Sequence, residues 1–209
     1  MPFAMTSRIK VGRRPSLSTK NWLVKSVIAL WGVVMLVGLA ALSIKHMASL
    51  PGPEDDALLS RAMLKLRRTT RTTFLVHVIY SECSCARALF THLVTRGPFP
   101  GNEEMILFVG ADPDKQKLAK HSGFEFATIS APELVSRFGL EAAPVFIVFD
   151  SSGRLRYAGG YYADPATVAP LDERIHAEIE GGTDVAPFPV FGCAVSPRLQ
   201  KSLDPLRPL

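Results

Sequence analysis

Three cysteines are the residues in this chain with the most distinctive chemistry. Cys83 and Cys85 are separated by a single serine, and Cys193 lies near the C-terminus. A thiolate is both a nucleophile and a soft metal ligand, so this set predicts either redox chemistry or metal binding. Three cysteines are too few to build a disulfide scaffold in a chain of 209 residues. We therefore interpret them as a redox or metal-binding set, or as one pair plus a free thiol.

The sequence leaves the pairing of these cysteines open. A disulfide between Cys83 and Cys85 would close a very small ring and would be strained and easy to reduce. Alternatively, Cys193 reaches back and acts as the resolving thiol for Cys83 or Cys85. The plainer interpretations are that the first two cysteines are small residues at a packed turn and that Cys193 is a buried free thiol.

The two neighbouring cysteines lie at a predicted turn between a strand and a helix. Residues 74–80, FLVHVIY, are rich in β-branched and aromatic side chains and predict a buried strand. After the turn, apolar residues recur at helical spacing and predict an amphipathic helix, capped by Ser81 or Ser84, that ends at Gly97. The apolar stripe contains Ala86, Leu89, Phe90, Leu93 and Val94. A cysteine at the start of this helix lies near free amide groups, so we expect a lowered thiol pKa.

The remaining patterns complete an α/β arrangement. Further strands are predicted at 105–109, 144–150 and 154–158, and further helices at 58–68, 112–120, 132–138 and 168–179. The turn Ser151-Ser152-Gly153 predicts that the last two strands form an antiparallel hairpin. Alternating strands and helices followed by a hairpin indicate an α/β sheet with helices on both faces.

The order of these elements resembles the thioredoxin superfamily, and most of all the membrane-anchored thioredoxin-like proteins of the bacterial cell envelope. The segments that carry the resemblance are VHVIYSECSCARALF at 76–90 and RFGLEAAPVFIVFDSSGRLRYAGGY at 137–161. The resemblance implies a thioredoxin-like mixed sheet flanked by helices, with thiol–disulfide exchange as its activity. It also implies a cis peptide bond between Ala143 and Pro144, facing the cysteine turn. Ala143 and Pro144 would then shape the groove for a partner's cysteine segment, and Gly159 and Gly160 would keep its rim open.

One departure from the family pattern keeps other functions in view. The usual motif is Cys-x-x-Cys, and here the usual resolving position falls on Ala86. A metallochaperone is one alternative, with Cys83, Cys85 and Cys193 as ligands of copper or zinc. A redox-inactive binding module with a thioredoxin fold is another. For the exchange reaction itself, no cofactor is expected.

The N-terminal region predicts a membrane anchor. Residues 26–44, SVIALWGVVMLVGLAALSI, run for 19 positions without a charge, roughly the length that crosses a bilayer as a helix. Residues 1–25 carry six basic side chains and no acidic one, which places the N-terminus in the cytoplasm. A cleaved signal peptide is the alternative, although its apolar region is usually shorter. The other 18 basic residues face 19 acidic ones, so the net charge of +5 does not favour nucleic-acid binding.

These expectations combine into one organisation for the chain. It comprises a basic cytoplasmic tail (1–21), a transmembrane anchor (22–45), a linker with an amphipathic helix (46–70), a thioredoxin-like domain (71–182) and a C-terminal extension carrying Cys193 (183–209). The folded part would lie in the periplasm or outside, held to the inner membrane by a single pass. Its expected partners are exported thiol-containing proteins or a membrane reductase. Cys83 would be the attacking thiolate, with Cys85 or Cys193 as the resolving thiol.

Overall fold

The computed structural model describes residues 17–167 and 169–203, apart from the side chains of residues 17–20, 23, 40–47 and 85. The chain divides into two compact units, Met1–Ile44 and Lys45–Leu209. Helix α1 (Leu17–Met47) is the described element of the first unit. Large apolar side chains such as Trp31 are exposed along this helix.

The predicted basic tail and anchor fall partly outside the described residues. Residues 1–16 of the tail are not described, and neither are several side chains within 22–45. Among the residues that are described, no helix combines the length and the apolar character needed to cross a membrane.

The second unit contains seven strands and six helices among its described residues. The strands are β1 (Phe74–Tyr80), β2 (Glu103–Val109), β3 (Glu125–Ile129), β4 (Ala142–Ala143), β5 (Val145–Phe149), β6 (Leu155–Gly159) and β7 (Cys193–Ala194). The helices are α2 (Asp56–Met63), α3 (Cys85–Arg96), α4 (Pro113–His121), α5 (Ala131–Phe138), α6 (Asp172–Glu180) and α7 (Pro197–Leu203). Five strands form a mixed sheet in the order β3-β2-β1-β5-β6, and β4 pairs with β7 separately. β1, β2 and β3 are parallel, whereas β5 runs antiparallel to both β1 and β6.

Helices cover both faces of the five-stranded sheet, as the sequence predicts. Successive residues of β1 point to opposite sides, so that Val76 and Val78 join one core cluster whereas Leu75 and Ile79 join the other. The first cluster packs against α2 and α5. The second packs against α3, α4 and α6 and contains Cys83. The mixed α/β sheet flanked by helices and the predicted hairpin are therefore confirmed.

Several elements differ from the sequence prediction, and α2 and β3 are two of them. The helix predicted through Arg68 ends at Met63, and the amides of Arg68 and Thr69 donate to the carboxylate of Glu103 at 2.7 and 2.9 Å instead of continuing the helix. Strand β3 is not predicted from its residues, although the alternation in Phe124-Glu125-Phe126 is a signal that favours a strand.

Candidate redox site

Cys83 lies in the turn that leads from β1 into α3. Its amide donates to the carbonyl of Tyr80 at 3.2 Å, and its carbonyl accepts from the amide of Ala86 at 3.2 Å. These bonds tie the residue to the end of the strand and to the first turn of the helix. Only 4% of the Cys83 surface is exposed.

The serines near this turn do not cap the helix as predicted. Ser84 occupies the N-cap position, but no capping side-chain hydrogen bond is found there in the described part of the site. Its φ of −63° and ψ of −36° are already helical, whereas a capping serine normally has an extended backbone. The amide end of α3, which carries a positive partial charge, begins two residues after Cys83.

Cys83 forms a disulfide with Cys193. The two Cα atoms are 5.8 Å apart, and the bond joins positions 110 residues apart in sequence. Of the pairings that the sequence leaves open, this is the one that the structure contains. Cys85 is the first residue of α3, but its side chain lies outside the described residues, so its role stays a prediction.

A cis peptide bond joins Ala143 to Pro144, as the resemblance implies. Immediately before it, β4 pairs antiparallel with β7, so that Ala142 lies opposite Ala194 and Ala143 lies opposite Cys193. Ala143 is fully buried. The backbone edge expected to receive a partner's cysteine segment therefore pairs with the cysteine segment of the chain's own C-terminal extension.

Three glycines allow this extension to lie against the domain. A Cβ atom at Gly160 would overlap the carbonyl of Pro189, and one at Gly192 would overlap the carbonyl of Ala143. A Cβ atom at Gly159 would come within 2.9 Å of the carbonyl oxygen of Phe188. The rim that Gly159 and Gly160 were expected to keep open for a partner is thus covered by residues 188–190 in this structure.

We refer to residues 188–198 as the C-terminal strap. On one side of Cys193 the amide of Leu50 donates to Val190 at 2.8 Å, and the amide of Gly160 donates to Phe188 at 2.9 Å. The side chain of Val190 is 1% exposed and belongs to the core. The strap is thus packed as part of the domain.

On the other side of Cys193, the strap is held by an ion-pair latch. Arg198 donates through Nε and Nη2 to the two carboxylate oxygens of Glu141 at 3.0 and 2.9 Å. Nη2 also donates to Glu54 at 2.8 Å. The carbonyl of Glu141 accepts from the amide of Val195 at 2.7 Å. The hydrogen bonds from Arg198 lower the pKa of the Glu141 carboxyl, so the latch is charged at neutral pH.

A small cavity adjoins the cysteine turn. It has a volume of about 160 Å³, and Cys83 is part of its wall. Its polar lining comprises Ser81, Glu82, Ser84, Arg87 and Lys115. The lining thus combines two basic side chains with the acidic Glu82, and Lys115 is paired with Asp112, so its charges do not act on the neighbouring sulfur in one direction.

A buried polar network lies beneath the sheet and was not predicted from the sequence. Glu104 accepts from Arg96 and bonds to Nε2 of His77 at 2.6 Å. Nδ1 of His77 bonds to the hydroxyl of Tyr161 at 2.7 Å, and Arg96 also pairs with Asp172. The available signal was an acidic residue near the start of an otherwise apolar strand, which requires a partner when buried.

The charges in this network have a clear effect on Glu104. Burial raises the pKa of its carboxyl, but hydrogen bonds and charges from His77 and Arg96 outweigh burial and lower the pKa from 4.5 to about 2. Burial raises the pKa of Tyr161 well above its ordinary value of 10.0. Glu104 is therefore held as a carboxylate and Tyr161 as a phenol.

The metal alternative gains no built site from the part of the chain that is described. Within it, no group of three His, Cys, Asp or Glu side chains is placed to hold a metal ion. Cys83 and Cys193 share a disulfide, and a thiolate ligand would require its reduction. The copper or zinc site on Cys83, Cys85 and Cys193 stays a prediction.

The mixed sheet, the cysteine turn at a helix start and the cis-proline loop together define a thioredoxin-like fold. No family model matches the chain, and no curated protein matches it. Among solved structures, an uncharacterised conserved protein from Geobacillus kaustophilus is similar, with 18% identity, 60% of this chain and 77% of that chain covered, and a TM-score of 0.46.

Two further solved structures are similar at a comparable level. A hypothetical protein from Sinorhizobium meliloti has 19% identity, with 60% of this chain and 80% of that chain covered and a TM-score of 0.43. A secreted disulfide oxidoreductase from Mycobacterium tuberculosis has 15% identity, with 52% of this chain and 83% of that chain covered and a TM-score of 0.37. At these identities and scores the likeness says nothing about activity.

Proposed function

We propose that this protein is a thiol–disulfide oxidoreductase whose redox couple is formed by Cys83 and Cys193. The observation that carries the proposal is the disulfide that joins the turn before α3 to the C-terminal strap. Such a turn favours the thiolate form of Cys83, because the start of a helix attracts negative charge.

The proposed reaction exchanges two electrons with a partner dithiol. One partner thiolate attacks the disulfide, so that a mixed disulfide forms and one protein sulfur leaves as a thiolate. The second partner thiolate then attacks the partner sulfur of the mixed disulfide, and the protein sulfur leaves as a thiolate. The partner is oxidised to a disulfide, and Cys83 and Cys193 are both reduced. In the reverse direction the same steps reduce a partner disulfide.

Cys85 is proposed to be an additional resolving thiol. Only Ser84 separates it from Cys83, so its thiolate can exchange with any disulfide formed on that residue. It would let the site release a trapped partner when Cys193 is engaged elsewhere. This role takes the place of the fourth motif position, where the chain has Ala86.

We further propose that residues 22–45 anchor the protein in the inner membrane and that the folded unit lies on the exported side. The support is the uncharged run at 26–44 together with the basic flank before it. The proposed partners are exported thiol-containing proteins or a membrane reductase. The location is tested by carbonate extraction of membranes and by protease access to the folded unit in spheroplasts. Recovery in the soluble fraction, or protection from external protease, would contradict it.

The redox couple is tested by counting free thiols with a maleimide-linked mass tag on the full chain in detergent. We expect one tagged thiol after oxidation and three after reduction, with a midpoint that follows the ratio of reduced to oxidised dithiothreitol. The Cys85→Ser variant should show no tagged thiol after oxidation and two tagged thiols after reduction. Three tagged thiols under every condition would rule out the exchange reaction. Stoichiometric copper or zinc that is lost on changing the cysteines to serine would favour the metallochaperone instead.

A further inference from the structure

The strap covers the edge at which a partner's cysteine segment was expected to pair. Ala143 already lies opposite Cys193 in an antiparallel ladder, and Gly192 lies so close to Ala143 that no side chain fits between them. A second extended chain cannot use the same backbone groups, because each of them bonds to only one strand at a time.

Contacts other than the disulfide also hold the strap against the domain. Val190 and Val195 are almost fully buried, at 1% and 2% exposed, and bury apolar surface on both sides of Cys193. The two-pronged bond between Arg198 and Glu141 adds a third attachment. We therefore expect the strap to stay in place when the disulfide is reduced.

The two cysteine residues of the disulfide differ in how far they are buried. Cys83 is 4% exposed and belongs to a core cluster, whereas Cys193 is only partly buried. Cys83 also lies at the positive end of α3, where a thiolate is stabilised. In thiol–disulfide exchange, the sulfur that is more accessible is attacked, and the sulfur with the lower thiol pKa leaves faster.

We propose that the strap is a permanent internal occupant of the partner-docking edge and that external thiols attack the sulfur of Cys193, with Cys83 as the leaving group. An incoming thiolate forms a bond to Sγ of Cys193, the bond between the two protein sulfurs breaks, and Cys83 leaves with the electron pair as a thiolate. The substrate is an accessible thiol that approaches end-on, and it does not add a strand at Ala143. The partner is thus carried on the strap in the mixed disulfide.

This inference rests on the proposed redox couple, and the position of the first mixed disulfide tests it. The full-length Cys85→Ser variant, in which no third thiol can move the adduct, is oxidised and treated with 2-mercaptoethanol. The reaction is stopped with acid at early times, and free thiols are blocked with N-ethylmaleimide. Trypsin then separates the sulfurs, because it cleaves after Arg71 and Arg87 to release residues 72–87, and after Arg174 and Arg198 to release residues 175–198.

We expect the 2-mercaptoethanol adduct on residues 175–198 in roughly tenfold excess over the adduct on residues 72–87. An equal or larger amount on residues 72–87 would overturn the inference and leave the redox couple intact. An oxidised protein that forms no adduct on either peptide, and is not reduced by dithiothreitol, would instead contradict the proposed function.

A glycine variant tests the part played by the strap. Gly160→Ala places a methyl group against the carbonyl of Pro189 and should lift the strap, so that the excess of adduct on residues 175–198 falls severalfold. Gly52→Ala is the matched control, because nothing lies within 4 Å of a Cβ atom at Gly52. An unchanged ratio in folded Gly160→Ala protein would show that the strap does not control which sulfur is attacked. If Gly160→Ala does not fold, the position of the adduct in the Cys85→Ser protein still decides the proposal.

Discussion

Replacing Cys193 with serine should destabilise the folded unit because it opens a very large covalent loop. The disulfide to Cys83 joins residues 110 positions apart. For a loop of this length, the restriction of the unfolded chain corresponds to about 5 kcal/mol, and removal of a natural disulfide usually costs roughly 2–5 kcal/mol. We expect a loss in this range, since serine is close to cysteine in size and leaves no large cavity.

The effect is measured by urea unfolding of the full chain in mild detergent, with far-ultraviolet circular dichroism as the signal for loss of secondary structure. A unit of this size has an m-value of about 2 kcal/mol per molar urea, so the midpoint should fall by roughly 1–2.5 M. The urea midpoint of the Cys83→Ser variant should fall by the same amount. The double variant should lose no more than either single variant, because all three remove one shared bond.

Cys85→Ser is the matched control, since it removes a thiol from the same turn without touching the disulfide. Its unfolding midpoint should stay within about 0.5 M of the parent value. The pairing would be wrong if this variant lost as much stability as Cys193→Ser. If the losses of the two single variants added together in the double variant, the stabilisation would not come from a bond between them.

Three further outcomes follow from the surroundings of the site. Since the folded-state pKa of Glu104 is lowered from 4.5 to about 2, its charge stabilises the fold fully above about pH 4.5. This contribution, roughly 3 kcal/mol, is lost as the pH falls towards 2. The free energy of unfolding of the Glu104→Gln variant should lack this pH dependence. An unchanged slope of the free energy of unfolding against pH would contradict the prediction. Arg198→Gln should increase proteolysis of the strap at neutral pH. In the same assay, the latch of the parent protein should weaken when acid protonates Glu141, whose pKa is lowered. Equal cleavage of the variant and the parent protein at neutral pH would refute the latch. Val190→Ala should lower the free energy of unfolding by roughly 2 kcal/mol, and a loss near zero would show that the strap is not part of the core.

The local elements of the fold were predictable because their residues carry their own signals. The run at 74–80 is apolar and β-branched over its full length, so β1 was predicted with the bounds that the structure shows. Gly139 likewise marked the end of α5, and the tight turn at 151–153 marked the connection between the two strands of the hairpin. Strand β3 was missed because its residues are only half buried and its polar residues weaken the apolar signal.

The buried network was not predictable because burial of charge depends on partners that are distant in sequence. Glu104 and Arg96 are only eight residues apart, but their neighbours His77, Tyr161 and Asp172 come from other elements. The local signal, an acidic residue near the start of an apolar strand, does not by itself show whether that residue is buried. Only the packing of α3 and α6 against the sheet brings these groups within hydrogen-bond distance.

The amino-acid sequence by itself determined that this chain has a cysteine turn between a strand and a helix, followed by a proline loop and an apolar tail with a third cysteine. These are local patterns, and local patterns follow from side-chain size, polarity and backbone preference. Only the tertiary structure decided that Cys193, lying opposite Ala143, is the partner of Cys83. A disulfide requires two sulfurs within bonding distance, and that distance depends on how the strap, which contains Gly192, packs over Gly159, Gly160 and the buried Ala143.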